Sequence, residues 1–250
     1  SISVAGMTVA FPAGIGMAIV MSSLLGFIIK PASNLMLLLA GCALIAAAVV
    51  VVANAYNIMG VLRHEQLARA GKTRSTRRPT TVKGVILALV GGLLLGSFFP
   101  MMQKATETEI GLGPYAVMVV FSAGVFLSTP MFDIFFINLP VEGEPLEITE
   151  FLHVRPGLHL LGVLGGAIWC TGSVASLTTG LAPVPARLPV PLNSLLSQGY
   201  PLIAVLWGLF AWKEFRSGDG RVKLLTLTMF VLFAGGLALI AIAPLYAHRS

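Results

Sequence analysis

The chain has 250 residues, of which 56% are hydrophobic and only 10% are charged, whereas an ordinary soluble domain carries roughly 25% charged residues. A water-soluble fold of this length cannot bury so much apolar surface, and the composition predicts an all-α membrane protein. The net charge of +6 does not indicate a nucleic-acid partner, because the Lys and Arg residues lie between apolar blocks instead of forming a stripe with aromatic side chains.

Seven apolar blocks follow one another along the chain. The bilayer core is about 30 Å thick, so a spanning helix needs about 20 mainly apolar residues. We predict transmembrane helices at 3–29, 35–56, 83–103, 114–138, 158–180, 191–212 and 222–245. Cys42 and Cys170 lie inside these blocks, so we expect neither a disulfide framework nor a metal site.

The distribution of Lys and Arg over the links predicts the orientation of these helices. Twelve of the sixteen basic residues lie on one side, and four lie on the other: Lys30, Lys104, Arg187 and Arg249. The side with twelve is predicted to be cytoplasmic, which places Ser1 inside and Ser250 outside. We therefore expect a multi-pass protein of the cytoplasmic (inner) membrane.

The first and sixth blocks suggest an internal repeat. They align with a constant offset of 182 residues, which places Pro12, Gly26 and Ile29 on Ser194, Gly208 and Ala211. Each of these blocks is followed by a second long apolar block. Because the offset contains five spans, the two repeats are expected to be inverted relative to each other, as in many secondary transporters.

Similarity to a known family is carried by apolar runs at 6–17, 83–88, 96–100, 165–169 and 201–208, the last followed by Lys213-Glu214-Phe215. These runs resemble the sugar-transporting branch of the drug/metabolite transporter superfamily. That branch includes the glucose/ribose porters, the rhamnose-proton symporters and the plant ureide permeases.

The resemblance implies a fold of ten helices in two inverted halves of five. The chain then looks like a remnant of such a polytopic bundle, with about seven transmembrane helices. Residues 1–57 would hold the last two helices of the first repeat, 58–82 a basic cytoplasmic linker and 83–250 the complete second repeat. Three further helices are expected upstream of the sequence given.

Polar side chains in the sixth block are the first candidates for solute contacts, because a polar group facing lipid would be costly. Asn193, Ser197 and Tyr200 share one helical face, and Gln198 lies alongside. Hydrogen bonding between helices is the alternative role for such side chains in membranes.

Further candidates lie in three other blocks. Pro12 interrupts the first block, so backbone carbonyls are expected to be freed for a cavity, with Thr8 one turn before it. Gln103 and Lys104 close the third block and could bind a hydroxylated solute, although Lys104 could instead only extend to the outer interface. Trp169 could stack on a sugar ring, with simple packing as its alternative.

Glycine pairs spaced by four residues predict close helix packing. Gly92 with Gly96 and Gly162 with Gly166 have this spacing. Small residues at such positions let two backbones approach closely in a membrane.

These observations predict a secondary transporter of sugars or similar small polar metabolites, working by alternating access. Motifs of hydrolases, metalloproteases and nucleotide-binding enzymes are missing from the sequence, so we expect no catalysis and no cofactor. The expected partners are a small polar solute and the lipid bilayer. The family allows protons as the coupling ion, although only Asp133 and Glu214 are carboxylates close to the spans. The sequence is also compatible with a homodimer. Two alternative functions are an exporter of amino acids or drugs and a non-transporting scaffold or subunit.

Overall fold

The computed structural model describes residues 7–69, 81–106, 111–138, 155–181, 189–214 and 218–247. Within these ranges the regular structure is helical and no strand is found, which confirms the predicted all-α class. The eight α-helices of this part of the chain are α1 (Met7–Ile29), α2 (Leu35–Arg69), α3 (Thr81–Thr106), α4 (Pro114–Asn138), α5 (Pro156–Leu181), α6 (Val190–Gln198), α7 (Tyr200–Phe210) and α8 (Gly220–Ile242). A short 3₁₀ turn at Ala243–Tyr246 follows α8.

Five segments of the described chain are long and apolar enough to cross a bilayer: Met7–Ile29, Leu35–Leu62, Pro114–Phe135, Pro156–Thr179 and Gly220–Tyr246. Shorter apolar segments lie at Ile86–Met102 and Tyr200–Phe210. These helices support the membrane class. The sixth predicted block, 191–212, is occupied by two short helices, α6 and α7, which only Gly199 separates. In the predicted linker 58–82, α2 continues to Arg69, and residues 70–80 lie outside the described ranges.

Local side chains set where several helices begin. Asn34 precedes α2, and its side-chain oxygen accepts a hydrogen bond from the Leu37 N–H at 3.2 Å. Asp219 caps α8 in the same way, accepting from the Val222 N–H at 3.1 Å. Such caps satisfy backbone donors that the first helical turn leaves without a partner. Proline opens α4 and α5, where its missing N–H costs nothing.

The chain divides into two compact units. The first comprises the described residues up to Met101 and from Pro189 onward, and the second those from Met102 to Leu188. The first unit has its hydrophobic core where α1, α2, α7 and α8 pack together. Its most deeply buried large side chains include Ile45, Val52, Val205, Met229 and Phe233.

Helices α2 and α8 meet through two glycines in a reciprocal contact. A Cβ placed on Gly41 would lie 2.8 Å from the Gly236 carbonyl oxygen and 2.7 Å from the Ile240 side chain. A Cβ placed on Gly236 would lie 2.7 Å from the Gly41 carbonyl oxygen and 2.7 Å from the Ile45 side chain. Glycine at both positions therefore lets the two backbones approach closely.

The start of α2 lies beside the end of α8. The Asn34 backbone N–H donates to the Ala243 carbonyl oxygen at 2.9 Å, and the Asn34 side-chain amide donates to the Tyr246 carbonyl oxygen at 3.3 Å. The two helices are therefore antiparallel. The orientation predicted from Lys and Arg has the same relative direction for this pair.

Helices α1 and α3 also pack through small residues. A Cβ on Gly92 would collide with the Gly14 carbonyl oxygen, and one on Gly96 would lie 2.5 Å from the Ala18 carbonyl oxygen. Residue numbers increase together along this contact, so the two helices are parallel. The close packing predicted for Gly92 and Gly96 is confirmed.

The second unit contains the pair formed by α4 and α5. Nothing among the described residues lies within 4 Å of a Cβ placed on Gly162 or Gly166, so the close packing predicted for this pair is wrong. Trp169 lies on the same face of α5, and its ring is 5.8 Å from that of Phe121, centroid to centroid. This bulky aromatic pair keeps the two backbones too far apart for a glycine contact.

Candidate functional site

The boundary between α6 and α7 is a helix break of one residue at Gly199, whose φ of −80° and ψ of −13° stay in the right-handed helical region, so the segment is kinked and not unwound. Pro201 has no N–H to donate to the Ser197 carbonyl, and its ring would crowd that carbonyl in a continuous helix. One residue further on, the Leu202 N–H donates to the Gly199 carbonyl oxygen, three residues earlier, at 3.1 Å. Because α6 has nine residues and α7 has eleven, the break falls about halfway along this apolar segment.

Gln198 is the last residue of α6 and lies at the break. Its side-chain oxygen Oε1 is buried and has no hydrogen-bond partner among the described residues. A buried acceptor without a donor costs about 1–3 kcal/mol. The break therefore contains a polar group with an unmet hydrogen-bonding capacity.

Two other polar residues of α6, Ser197 and Asn193, already have interactions. The Ser197 hydroxyl donates to the Asn193 carbonyl oxygen at 2.8 Å, so its proton is used within the helix. Asn193 is half-buried and already takes part in an interaction, so it is not without a partner. Of the predicted stripe, Gln198 is thus the residue that most needs a further partner.

Thr8 and Pro12 lie on α1 in the same unit. Thr8 is fully buried, with 0% of its surface exposed, and its hydroxyl has no partner among the described residues. Pro12 is also buried, and α1 continues through it without ending. Since Pro12 has no N–H, the Thr8 carbonyl loses its usual helical donor, as the sequence predicts.

The carboxylate of Glu214 caps the described start of α1. It accepts hydrogen bonds from the backbone N–H groups of Met7 and Thr8, each at 2.8 Å. The turn after α7 brings it there: Lys213 has a φ of 53°, and the Glu214 N–H donates to the Gly208 carbonyl oxygen at 3.1 Å. A negative charge at a helix N-terminus is stabilised by the helix dipole.

Glu214 is predicted from the sequence only as a carboxylate close to a span, and this contact is not predicted. Two signals point to it. α1 has no acidic residue in its first turn, so a carboxylate from elsewhere is favoured there. Glu214 also follows directly after α7, which packs against α1.

The contacts of α1 with α7 follow one line along the interface. Thr8 lies against Gly208 at one end, and the rings of Phe11 and Tyr200 meet edge to face at 6.4 Å further along. Gln198 lies beyond Tyr200 at the break. From Gly208 to Gln198 the chain rises about 15 Å if both pieces are helical. The described contacts of this interface thus run from the capped end of α1 to Tyr200, two residues after Gln198.

Three predicted residues belong to the second unit. Gln103 lies on α3, but its side chain is outside the described part. Lys104 is exposed in the last turn of the same helix, where a cation is stabilised by the helix dipole. Trp169 is 46% exposed and packs on Phe121, which favours the packing alternative over a free stacking surface. Thr8, Pro12, Asn193, Ser197 and Gln198 belong to the first unit.

Comparison of the chain with protein-family models, with curated proteins and with solved structures gave no match. The family resemblance therefore stays a prediction that depends on the apolar runs. In the described ranges no group of three or more His, Cys, Asp or Glu residues is placed to hold a metal ion. The chemistry available at the break is hydrogen bonding by neutral side chains.

Proposed function

We propose that the chain is a secondary transporter that moves sugars or similar small polar metabolites across the membrane by alternating access. The observation that carries the proposal is the helix break at Gly199, beside which the buried Oε1 of Gln198 has no hydrogen-bond partner among the described residues. Irregular backbone at membrane depth is tolerated only where protein covers it or a cavity borders it. Interrupted helices border the substrate sites of many transporters, and the interruption here is limited to Gly199.

The chemistry of the break favours a neutral, hydroxylated solute. Oε1 of Gln198 requires a donor, and a hydroxyl or N–H group of a solute would supply one. Apart from Tyr200, α6 and α7 contain no ionisable side chain that could neutralise a charged solute at this depth. An amino acid, with two charged groups, would therefore fit less well than a sugar.

The packing of the first unit supports the inverted five-helix organisation implied by the resemblance. α1 packs on α7 as α2 packs on α8. We propose that 1–57 and 83–250 are parts of two such repeats, joined by the basic linker 58–82 on the cytoplasmic side.

A non-transporting membrane scaffold or subunit is the second candidate function. Helix α5 favours it, because none of residues 156–179 is buried within the chain. Such a helix offers an apolar surface to lipid or to another membrane protein. In a scaffold, the polar group at the break would serve assembly and not solute binding.

Reconstitution tests the proposal. The purified full-length protein is placed in liposomes, and uptake of radiolabelled sugars, polyols and nucleobases is measured against empty liposomes. We expect saturable uptake of at least one of these solutes, with competition by its unlabelled form. Uptake equal to that of empty liposomes for every solute would remove the transport proposal and favour the scaffold.

A further inference from the structure

The contact between Glu214 and the start of α1 joins two segments that are 206 residues apart in the chain. Its carboxylate reaches from the turn after α7 to the Met7 and Thr8 N–H groups. This end of the interface is the one that the Lys and Arg count assigns to the cytoplasm. We infer that Glu214 is a latch that holds the cytoplasmic end of the α1–α7 interface closed, an inference that rests on the proposed transport function.

Two features oppose the hydrogen bonds of this latch. Lys213 adopts a φ of 53°, which is unfavourable for a residue with a side chain. The Thr8 hydroxyl is buried in the closed contact and has no partner among the residues that the structure describes, and it would gain one on contact with water. In the closed arrangement the hydrogen bonds of Glu214 are therefore opposed by the backbone conformation of Lys213 and by the buried Thr8 hydroxyl. A reversible gate requires such a balance between the closed and the open state.

Gly208 is the residue of α7 on which the contact between Glu214 and the start of α1 depends. A Cβ placed there would collide with the Thr8 hydroxyl and would lie 3.1 Å from Oε2 of Glu214. The Gly208 carbonyl oxygen also accepts the Glu214 N–H. The close approach of α7 to the start of α1, and with it the hydrogen bonds of the carboxylate, therefore depends on the missing side chain at this position.

Opening of the latch would expose the interface that leads to the break. Ala204 lies one turn from Gly208 on the same face of α7 and is 8% exposed. The aromatic pair Phe11–Tyr200 follows, and Gln198 lies beyond it. A solute that leaves the break toward the cytoplasm would pass along this line.

Thiol labelling of a buried reporter tests the latch without any solute. A204C is introduced in a background in which Cys42 and Cys170 are replaced by Ala. Inverted membrane vesicles expose the cytoplasmic side to a membrane-impermeant methanethiosulfonate reagent. We expect E214A to raise the labelling rate of A204C at least tenfold over the reporter alone.

G208A provides an independent variant, since its methyl group displaces Thr8 while Glu214 is retained, and we expect faster labelling in it as well. D219A is the matched control, because Asp219 is a carboxylate between α7 and α8 that caps its own helix. We expect its labelling rate to equal that of the reporter alone. Unchanged labelling in both E214A and G208A, or an equal increase in D219A, would overturn the latch.

The outcomes separate the two proposals. Faster labelling in E214A with no uptake of any solute would retain the latch and remove the transport function. Saturable uptake with unchanged labelling would retain the transport function and remove the latch.

Discussion

The ring of Tyr200 meets the ring of Phe11 edge to face, at a centroid distance of 6.4 Å and an interplanar angle of 87°. One ring belongs to the first residue of α7, directly after the helix break, and the other to α1. The pair therefore fixes the position of the break relative to the neighbouring helix. It lies between the Glu214 contact at one end of the interface and Gln198 at the break.

The aromatic pair predicts a measurable coupling. Edge-to-face pairs contribute about 0.5–1.5 kcal/mol beyond the area that they bury. We expect a double-mutant cycle with F11L and Y200L to give a coupling free energy of unfolding in this range, measured by denaturant titration in micelles. Y200F, which keeps the ring, should retain the coupling to Phe11. A coupling of zero would mean that the two rings do not stabilise this interface.

The Gly41–Gly236 contact predicts strong sensitivity to a single methyl group. In G41A the new Cβ would meet the backbone carbonyl of Gly236, which cannot rotate away as a side chain can. We expect a loss of about 1–3 kcal/mol in the free energy of unfolding, as is usual for overpacked sites.

The matched control for G41A is G26A. Gly26 also lies in an apolar helix, but nothing lies within 4 Å of a Cβ placed there among the described residues. Because Ala favours helix more than Gly by about 1 kcal/mol, G26A should be neutral or stabilising. Equal destabilisation by both variants in detergent unfolding would contradict the close approach of α2 and α8.

The Asp219 cap predicts a local loss of stability. D219A removes the acceptor for the Val222 N–H at the start of α8, which we expect to cost about 0.5–2 kcal/mol. D219N, which keeps a side-chain oxygen, should recover most of this loss. Hydrogen exchange should be faster in the first turn of α8 in D219A and unchanged in α1. Unchanged exchange in α8 would show that the cap is not formed.

Removal of the Gln198 side-chain oxygen is expected to preserve or raise the stability of the protein and to weaken solute binding. Q198L removes a buried acceptor without a partner, so we expect the free energy of unfolding to stay equal or to rise by about 1 kcal/mol. T171V is the comparison variant, since the Thr171 hydroxyl donates to the Ala167 carbonyl oxygen at 2.8 Å on an exposed face of α5. A clear loss of stability in Q198L alone would show that the oxygen has a partner in the native protein.

Helix class and several contacts could be predicted from the sequence because apolar length and small-residue spacing are local properties. The packing of Gly92 and Gly96 follows from their spacing, whereas the same spacing at Gly162 and Gly166 is overridden by the bulky Trp169. Local patterns therefore identify which faces are suited to close packing, and neighbouring large side chains decide whether it occurs.

The candidate site was only partly predictable. Gln198 is named from its polarity in an apolar block, but its unmet acceptor depends on the tertiary surroundings. The break at Gly199 was not predicted, because a proline such as Pro12 is also tolerated within a continuous helix. The Glu214 contact depends on the pairing of α1 with α7 and on the turn at Lys213, which no short sequence pattern specifies.

The most direct test of the central claim compares solute uptake by Q198L with that of the unmodified protein, both full-length, in proteoliposomes. Because the variant keeps its fold but lacks the acceptor at the helix break, we expect KM for the transported solute to rise about tenfold or more, the effect of losing one hydrogen bond at a buried site. T171V should transport as the unmodified chain does. An unchanged KM and maximal rate in Q198L would contradict a solute site at the break.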